Sequence, residues 1–352
     1  MSDYHFSQIR YSDKYALRQM EQLLAGEGIE RDGNLDYTVG LYDEDYNLAA
    51  TGSCFGNTLR CLAVDSRHQG EGLLNQVISH LIDYQYRRGI LDLFLYTKCN
   101  TALFFKDLGF YEIARVDGRV VFMENRKGGF ERYLARLQAE TQSLGLTGDR
   151  VGAVVMNANP FTLGHQYLAE TAAADCDVLH LFVVSEDASL VPFPVRERLV
   201  REGTAHLGNV VYHRTESYMI SNATFPSYFL KDQETVIRSH AVLDITIFEK
   251  IAKALGITVR YVGEEPFSEV TGIYNQVMAR QLAEAGLALT VIPRKEADGS
   301  AISASKVRQL IKEGRLEELR GLVPDSTYAY FTSDAGRETV EKIRGCADVA
   351  HY

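Results

Sequence analysis

Hydrophobic positions along this chain fall into two rhythms. In the first third the apolar runs are short. Residues 15–25 carry apolar side chains at helical spacing, with Ser12 or Asp13 placed to cap them. Residues 37–42 and 48–54 read as strands joined by the acidic turn DEDYN, a hairpin signal. Residues 59–64 predict another strand, which leads through the loop DSRHQGEG into the helix LLNQVISHLIDYQYRRG. The run LDLFLYTKCNTALFFKDLGFYEI then predicts a strand, a helix from near Asn100 and a closing strand after Gly109.

From residue 151 the rhythm changes. VGAVVM is apolar almost throughout and valine-rich, as suits a strand buried on both faces of a parallel sheet. A polar, Pro-broken turn at 157–162 follows, and HQYLAETAAA then reads as a helix. Further strands are predicted at 177–184, 209–213, 258–262 and 288–292, alternating with helical runs that include 241–255. Alternation of this kind builds a parallel sheet.

Between the two rhythms, NRKGG, the helical run FERYLARLQAETQSLG and LTGDR form a connector punctuated by Gly145 and Gly148. Its alternating Arg and Glu mark a solvated face, with Tyr133, Leu134 and Leu137 left to dock on one of the domains. The expected division is 1–125, a helical connector at 126–149, and 150–352.

At 352 residues two domains are the default, and 46% hydrophobic with 24% charged residues is ordinary for a soluble globular chain. The net charge of -10 argues against broad nucleic-acid binding, so a small anionic substrate needs a few well-placed cations. Cys54, Cys61, Cys99, Cys176 and Cys346 show neither CxxC spacing nor metal-ligand intervals with His, which fits reduced thiols in a cytoplasm. MSDYHFSQIR has no apolar run of a signal peptide, and no stretch offers the roughly 20 unbroken apolar residues of a spanning helix, so no membrane partner is expected.

Chemistry concentrates where strands feed helices. The first amides of a helix are unpaired and its dipole is positive there, so such a junction attracts anions. One junction is VGAVVMNANPFTLGH. Its TLGH, Thr162 to His165, resembles the (H/T)xGH signature of the nucleotidylyl transferases, which attack the α-phosphate of a nucleoside triphosphate and release pyrophosphate. ISASKVR, Ile302 to Arg308, resembles the ISSTxxR motif of the same superfamily.

The pair implies an ATP site. Thr162 and His165 would lie nearest the α-phosphate, with Asn157, Asn159, Phe161 and Gly164 beside them. Ser303, Ser305, Lys306 and Arg308 would hold the β,γ end, and Arg294 and Lys295 can add charge. Gly263, Glu264, Glu265 and Pro266 end a strand where such sheets receive the nucleoside, with Tyr274 and Asn275 on the next helix; an acidic loop cap is the competing reading for the two carboxylates. FPVRERLVREGT resembles the family's substrate-side segment. Arg196 and Arg198, with Arg201, are either a carboxylate or phosphate clamp or helix-surface partners of Glu197 and Glu202. Phe225, Tyr228 and Phe229 lie in a polar, aromatic stretch and either cover the reaction or pack that loop down. Mg²⁺ is expected as a phosphate partner, and no protein-bound metal site is.

The other junction carries Arg67, Gly70 and Gly72, which resemble the (R/Q)xxGxG/A pyrophosphate loop of GNAT acyltransferases; the structural alternative is a tight strand-to-helix turn. FFKDLGFYEI resembles the GNAT C-terminal element. Asp65, His68 and Glu71 read as solvated loop residues, so no general base stands out. The implied fold is α/β: an N-terminal GNAT-like mixed domain followed by a Rossmann-like parallel-sheet nucleotidylyl transferase domain.

An adenylating module joined to a fold for a pantetheine-type arm suggests a carboxylate activated as an acyl adenylate and passed to a thiol. NANPFTLGH, PFPVRERL, GEEPFSEVTGIYNQVM and ISASKVR, in order along nearly the whole chain, resemble the citrate lyase ligase family. The resemblance implies an acid–thiol ligase that takes ATP, acetate and the thiol prosthetic group on the acyl-carrier subunit of citrate lyase, and gives the acetylated carrier, AMP and pyrophosphate. Two other readings use the same features. One is an adenylyltransferase of the pantetheine or nicotinamide nucleotide class with a regulatory first domain; the other is a non-catalytic sensor of acyl-CoA or ATP.

Overall fold

Asp13 starts the first helix, α1 (Lys14–Gly26): its carboxylate accepts from the amides of Tyr15 and Ala16, and Met20, Leu23 and Leu24 face the core. The computed structural model describes residues 4–186, 188–219, 225, 232–264, 269–297 and 299–349. It divides into two compact units, 1–130 with 224–243 and 131–223 with 244–352.

The first unit is a mixed sheet. β1 (His5–Gln8) pairs antiparallel with β2 (Tyr37–Tyr42), and β2 with β3 (Leu48–Phe55), the hairpin expected across the acidic turn. β1 was not legible because all four of its residues are exposed and no alternation marks them. After β3 come β4 (Thr58–Val64), α2 (Leu73–Arg87), β5 (Phe94–Thr97), α3 (Ala102–Asp107), β6 (Tyr111–Val116) and β7 (Val120–Glu124). The single closing strand expected after Gly109 is a hairpin of two, turned at Gly118, whose φ of 70° suits glycine. The sheet order is β1-β2-β3-β4-β5-β7-β6, with β4 and β5 parallel and the other neighbours antiparallel. This is the GNAT-like architecture that the sequence implied.

The second unit opens with α4 (Gly129–Ser143), whose first residues belong to the other unit. Tyr133 and Leu137 are buried, and the Tyr133 hydroxyl donates to the carbonyl of Arg214. Then alternate β8 (Val151–Met156), α5 (Leu163–Asp175), β9 (Val178–Val183), α6 (Phe193–Gly203), β10 (Val210–Arg214), α7 (Gln233–Leu255), β11 (Val259–Gly263), α8 (Glu269–Glu284) and β12 (Ala288–Ile292). Every pair in the order β10-β9-β8-β11-β12 is parallel.

α7 starts eight residues before the expected 241 because Asp232 caps it, accepting from the Thr235 amide at 2.8 Å. The first part of α7 and Phe225 belong to the first unit, where Phe225 is buried against the rings of Tyr96 and His240. That favours the packing reading for Phe225; Tyr228 and Phe229 lie outside the described residues.

The two-residue strands β13 (Glu296–Ala297) and β14 (Ser300–Ala301) then lead to α9 (Ala304–Lys312), α10 (Asp325–Thr332) and α11 (Arg337–Gly345). Val307, Leu310 and Ile311 of α9 share one apolar cluster with Val340 and Ile343 of α11 and with the inner face of the sheet. Among the described residues no helix is long and apolar enough to cross a membrane.

Candidate active site

The parallel sheet reverses its winding between β8 and β11. At such a point the chains leaving two neighbouring strands part and leave a crevice beyond their carboxyl ends. The 157–165 segment leaves one strand end and Gly263–Glu264 the other.

Thr162 is the N-cap of α5, and its hydroxyl accepts from the amide of His165 at 3.3 Å. In return the Thr162 amide donates to His165 Nδ1 at 3.1 Å, so the imidazole takes the place that Glu fills in an ordinary capping box. Because Nδ1 accepts an N–H, the neutral ring carries its proton on Nε2. Burial, with added repulsion from the Arg294 and Arg308 cations, pushes the His165 pKa down to about 4. At neutral pH His165 is thus an uncharged N–H donor of fixed orientation. Thr162, 1% exposed, holds that orientation rather than facing open space.

The second motif meets the first through the missing side chain of Gly164. A β-carbon there would stand 3.2 Å from the carbonyl oxygen of Ile302. Ser303 then caps α9, accepting from the Lys306 amide at 3.2 Å, with the Ser305 hydroxyl 3.0 Å from its own. Lys306 is exposed, and its Nζ donates to the Ser300 hydroxyl at 3.0 Å. The loop after β12 closes the ring: Arg294 Nε donates to the carbonyl of Glu264 at 2.7 Å, and Lys295 Nζ lies 5.8 Å from the centre of the Tyr167 ring on α5. Gly263 has open space where a β-carbon would be, and Glu264 is exposed. Glu265 and Pro266 lie outside the described residues. Tyr274, expected beside the nucleoside, instead donates to Asp244.

Several expected ligand residues work beneath this surface. Arg196 is fully buried. It donates to the carbonyls of Val191, Asn157, Val184 and Glu186 and to the Asn157 side chain, which corrects the clamp reading. Its guanidinium binds the turn after β8 to the one after β9. Arg198 pairs with Glu202 at 3.8 Å, the helix-surface alternative.

Phe161, expected to line the nucleotide, is fully buried against Gly203 of α6, and its ring lies 5.9 Å from that of His165. Arg308 donates to the carbonyls of Asn159 and Val349, so its charge reaches the site from behind the turn. Asn157 bonds Ser189, and Asn159 accepts from the Val191 amide while its Nδ2 is buried with no partner. Leu322 completes the cap of α5 by accepting from the Leu163 amide at 2.9 Å. Nothing local in the sequence marks Leu322, Ser189 or Val349 for these roles.

The first unit holds a separate cavity of about 490 Å³. β4 and β5 pair only at Thr58–Phe94 and Leu59–Leu95; beyond that, Leu62 to Val64 and Tyr96 to Lys98 line the opening between them. Gly70 and Gly72 are among the residues that line it. Both have positive φ, and a β-carbon on either would meet nothing. Gly72 caps α2 without a side-chain bond, leaving the helix amides available to an anion. Arg67 is turned away into a two-bond pair with Asp65, and His68 bonds Tyr4.

Residues 151–331 match a family profile described as the citrate lyase ligase C-terminal domain. Citrate (pro-3S)-lyase ligase of Klebsiella pneumoniae is 41% identical over 297 residues, 83% of this chain and 85% of that protein. The ligase of Escherichia coli K12 is 38% identical over 335 residues, 93% of each chain. Among solved structures, a putative acyl-CoA N-acyltransferase from Klebsiella pneumoniae covers 34% of this chain and 95% of its own, at 16% identity and a TM-score of 0.31.

Proposed function

The chain belongs to the citrate lyase ligase family, and on that premise we propose how its residues carry out the reaction. The enzyme is an ATP-dependent acid–thiol ligase that activates citrate lyase by acetylating it. The acid is acetate and the acceptor is the thiol of a pantetheine-type prosthetic group on the acyl-carrier subunit.

An acetate oxygen attacks the α-phosphorus of ATP. The bond to the β-phosphate bridge breaks, and pyrophosphate leaves with the electron pair. The thiol sulfur then attacks the acyl carbon of the adenylate, AMP leaves with the electrons of the C–O bond, and the thiol proton passes to solvent. The first step concentrates negative charge on phosphoryl oxygens, so positioned donors account for most of the rate. His165 donates from Nε2 to an α-phosphate oxygen, and the start of α9 with Ser303, Ser305 and Lys306 holds the departing pyrophosphate. Mg²⁺ bound to the triphosphate would neutralise charge on its oxygens, as a hard cation prefers phosphate oxygens and water. Gly70, Gly72 and the start of α2 receive the phosphate of the carrier arm, whose chain lies in the apolar cavity.

The observation that supports this reading is the closeness of Gly164 to Ile302, which sets the start of α5 beside the start of α9. The test is incubation with ATP, acetate and the deacetylated carrier subunit, with nucleotides resolved chromatographically and the acyl-thiol read by mass spectrometry. AMP and acetyl-carrier are expected in equal amounts; ADP would overturn the adenylate mechanism.

A further inference from the structure

With Arg67 tied to Asp65, positive charge reaches the cavity of the first unit from another strand. Among the described residues that line the cavity, Lys98, just past the end of β5, is the only lysine or arginine. Its Nζ donates to the carbonyl of Glu27 at 3.1 Å, and no carboxylate among the described residues pairs with it. A β-carbon on Gly28 would lie 3.7 Å from the same nitrogen. An ammonium has three donors, so one carbonyl leaves two for a guest.

The cavity reaches both faces of the mixed sheet. Along β4 the side chains alternate: Leu62 and Val64 pack with the cluster that holds Leu73 and Val77 of α2, and Cys61 and Ala63 with the cluster that holds Met20 and Leu24 of α1. Leu62, Val64 and Leu73 line the cavity from the first face, and Ala63 and Ile29 from the second. The gap where β4 and β5 cease to pair is therefore a slot through the sheet. Gly72 and the start of α2 stand at one face. Lys98 Nζ, against the C-cap residue of α1, stands at the other.

An arm whose phosphate rests at the start of α2 sends its chain into this slot, and its free end arrives at Lys98. We propose that Lys98 is a catalytic residue of the thioester-forming step: its ammonium holds the sulfur of the carrier arm as the thiolate, the form that attacks the acyl carbon. The S–H bond breaks with its electron pair left on sulfur, and the proton goes to solvent. The S–C bond then forms as the C–O bond to AMP breaks. A thiol of the cysteine type titrates at about 8.5, and a cation in contact lowers that by about one unit or more. The other titratable groups that line the cavity are otherwise engaged. Tyr96 stacks on Phe122, His68 is bonded to Tyr4 and Glu71, and Glu27 offers Lys98 its carbonyl rather than its carboxylate. The inference rests on the carrier-arm reading above.

The test is the pH dependence of kcat for acetylation of the deacetylated carrier subunit, at saturating ATP and acetate, by the full chain and by Lys98→Gln and Lys98→Arg. Gln keeps a donor for the Glu27 carbonyl and loses the charge; Arg keeps the charge. Because kcat reports the bound complex, the midpoint of its rise with pH should move up by about one unit or more in Lys98→Gln, with a several-fold loss of rate at pH 7, and stay close to its original value in Lys98→Arg. Acetate-dependent pyrophosphate exchange without carrier should keep its rate in both variants. Coincident profiles for Lys98→Gln and the unaltered chain overturn the proposal and leave Lys98 as a cap of α1. A rise in carrier KM with an unmoved midpoint overturns it too, and would place the ammonium on the phosphate of the arm. Loss of exchange in Lys98→Gln and Lys98→Arg alike also overturns it, because adenylation does not involve this cavity. No acetyl-carrier from the unaltered chain overturns the adenylate reading, and this one with it.

Discussion

Gly164 lies so close to Ile302 that a β-carbon on it would stand 3.2 Å from the Ile302 carbonyl oxygen. The two motifs of the crevice thus share one backbone contact, and its closeness can be varied one carbon at a time. Gly164→Ala gains up to about 1 kcal/mol of helix propensity, so the melting temperature should hold or rise. Pyrophosphate exchange should still fall several-fold, and Gly164→Val should lower both. Unaltered exchange in Gly164→Val would separate the motifs functionally.

His165→Ala should lower kcat by about 10²–10³, the usual effect of losing one donor to a developing oxyanion, with little change in the KM for ATP. Steady-state exchange kinetics on the purified variant decide it.

The pH response of His165 follows from its folded-state pKa near 4, below the unfolded value near 6.5. Between those values the unfolded chain binds the proton that the folded one excludes. This residue's contribution to stability is therefore complete above about pH 6.5 and is lost as pH falls towards 4. The difference in unfolding free energy between the unaltered chain and His165→Gln should change across that window and be flat above it. An imidazole titrating at 6.5 by NMR in the ligand-free enzyme would refute the assignment.

Arg196→Met leaves four carbonyls without their shared donor and should destabilise the chain by about 3 kcal/mol or more in a denaturant melt, whereas Arg198→Ala at the helix surface should cost less than about 1 kcal/mol.

Gly72→Ala puts a β-carbon on a residue with φ of 73° and should cost about 1 kcal/mol of stability. The carrier KM should rise, while exchange without carrier keeps its rate. Equal loss in both assays would argue against a carrier-arm role for the cavity.

The sequence exposed most of this architecture because β8 and β9 are buried along almost their whole length and read as nearly continuous apolar runs. It lost β1, which buries nothing, and the first two turns of α7, which an acidic cap rather than an apolar stripe announces. Within the crevice, motif spacing located Thr162, His165, Ser303 and Lys306. It could not tell a guanidinium facing solvent from one facing carbonyls, because that depends on loops from distant parts of the chain. Arg196 meets Asn157 across 39 positions and Arg308 meets Asn159 across 149.

The first unit takes residues 1–130 and then 224–243, and this interruption has a consequence for synthesis. A ribosome adding roughly 5–20 residues per second needs about 5 to 20 s to cover the intervening stretch. Throughout that interval the nascent mixed sheet lacks Phe225 over Tyr96 and Ser239 beside Arg119. Its apolar surface at Tyr96 is then uncovered while β8, β9 and β10 are being made, so the first unit can finish folding only after most of the parallel sheet has been synthesised.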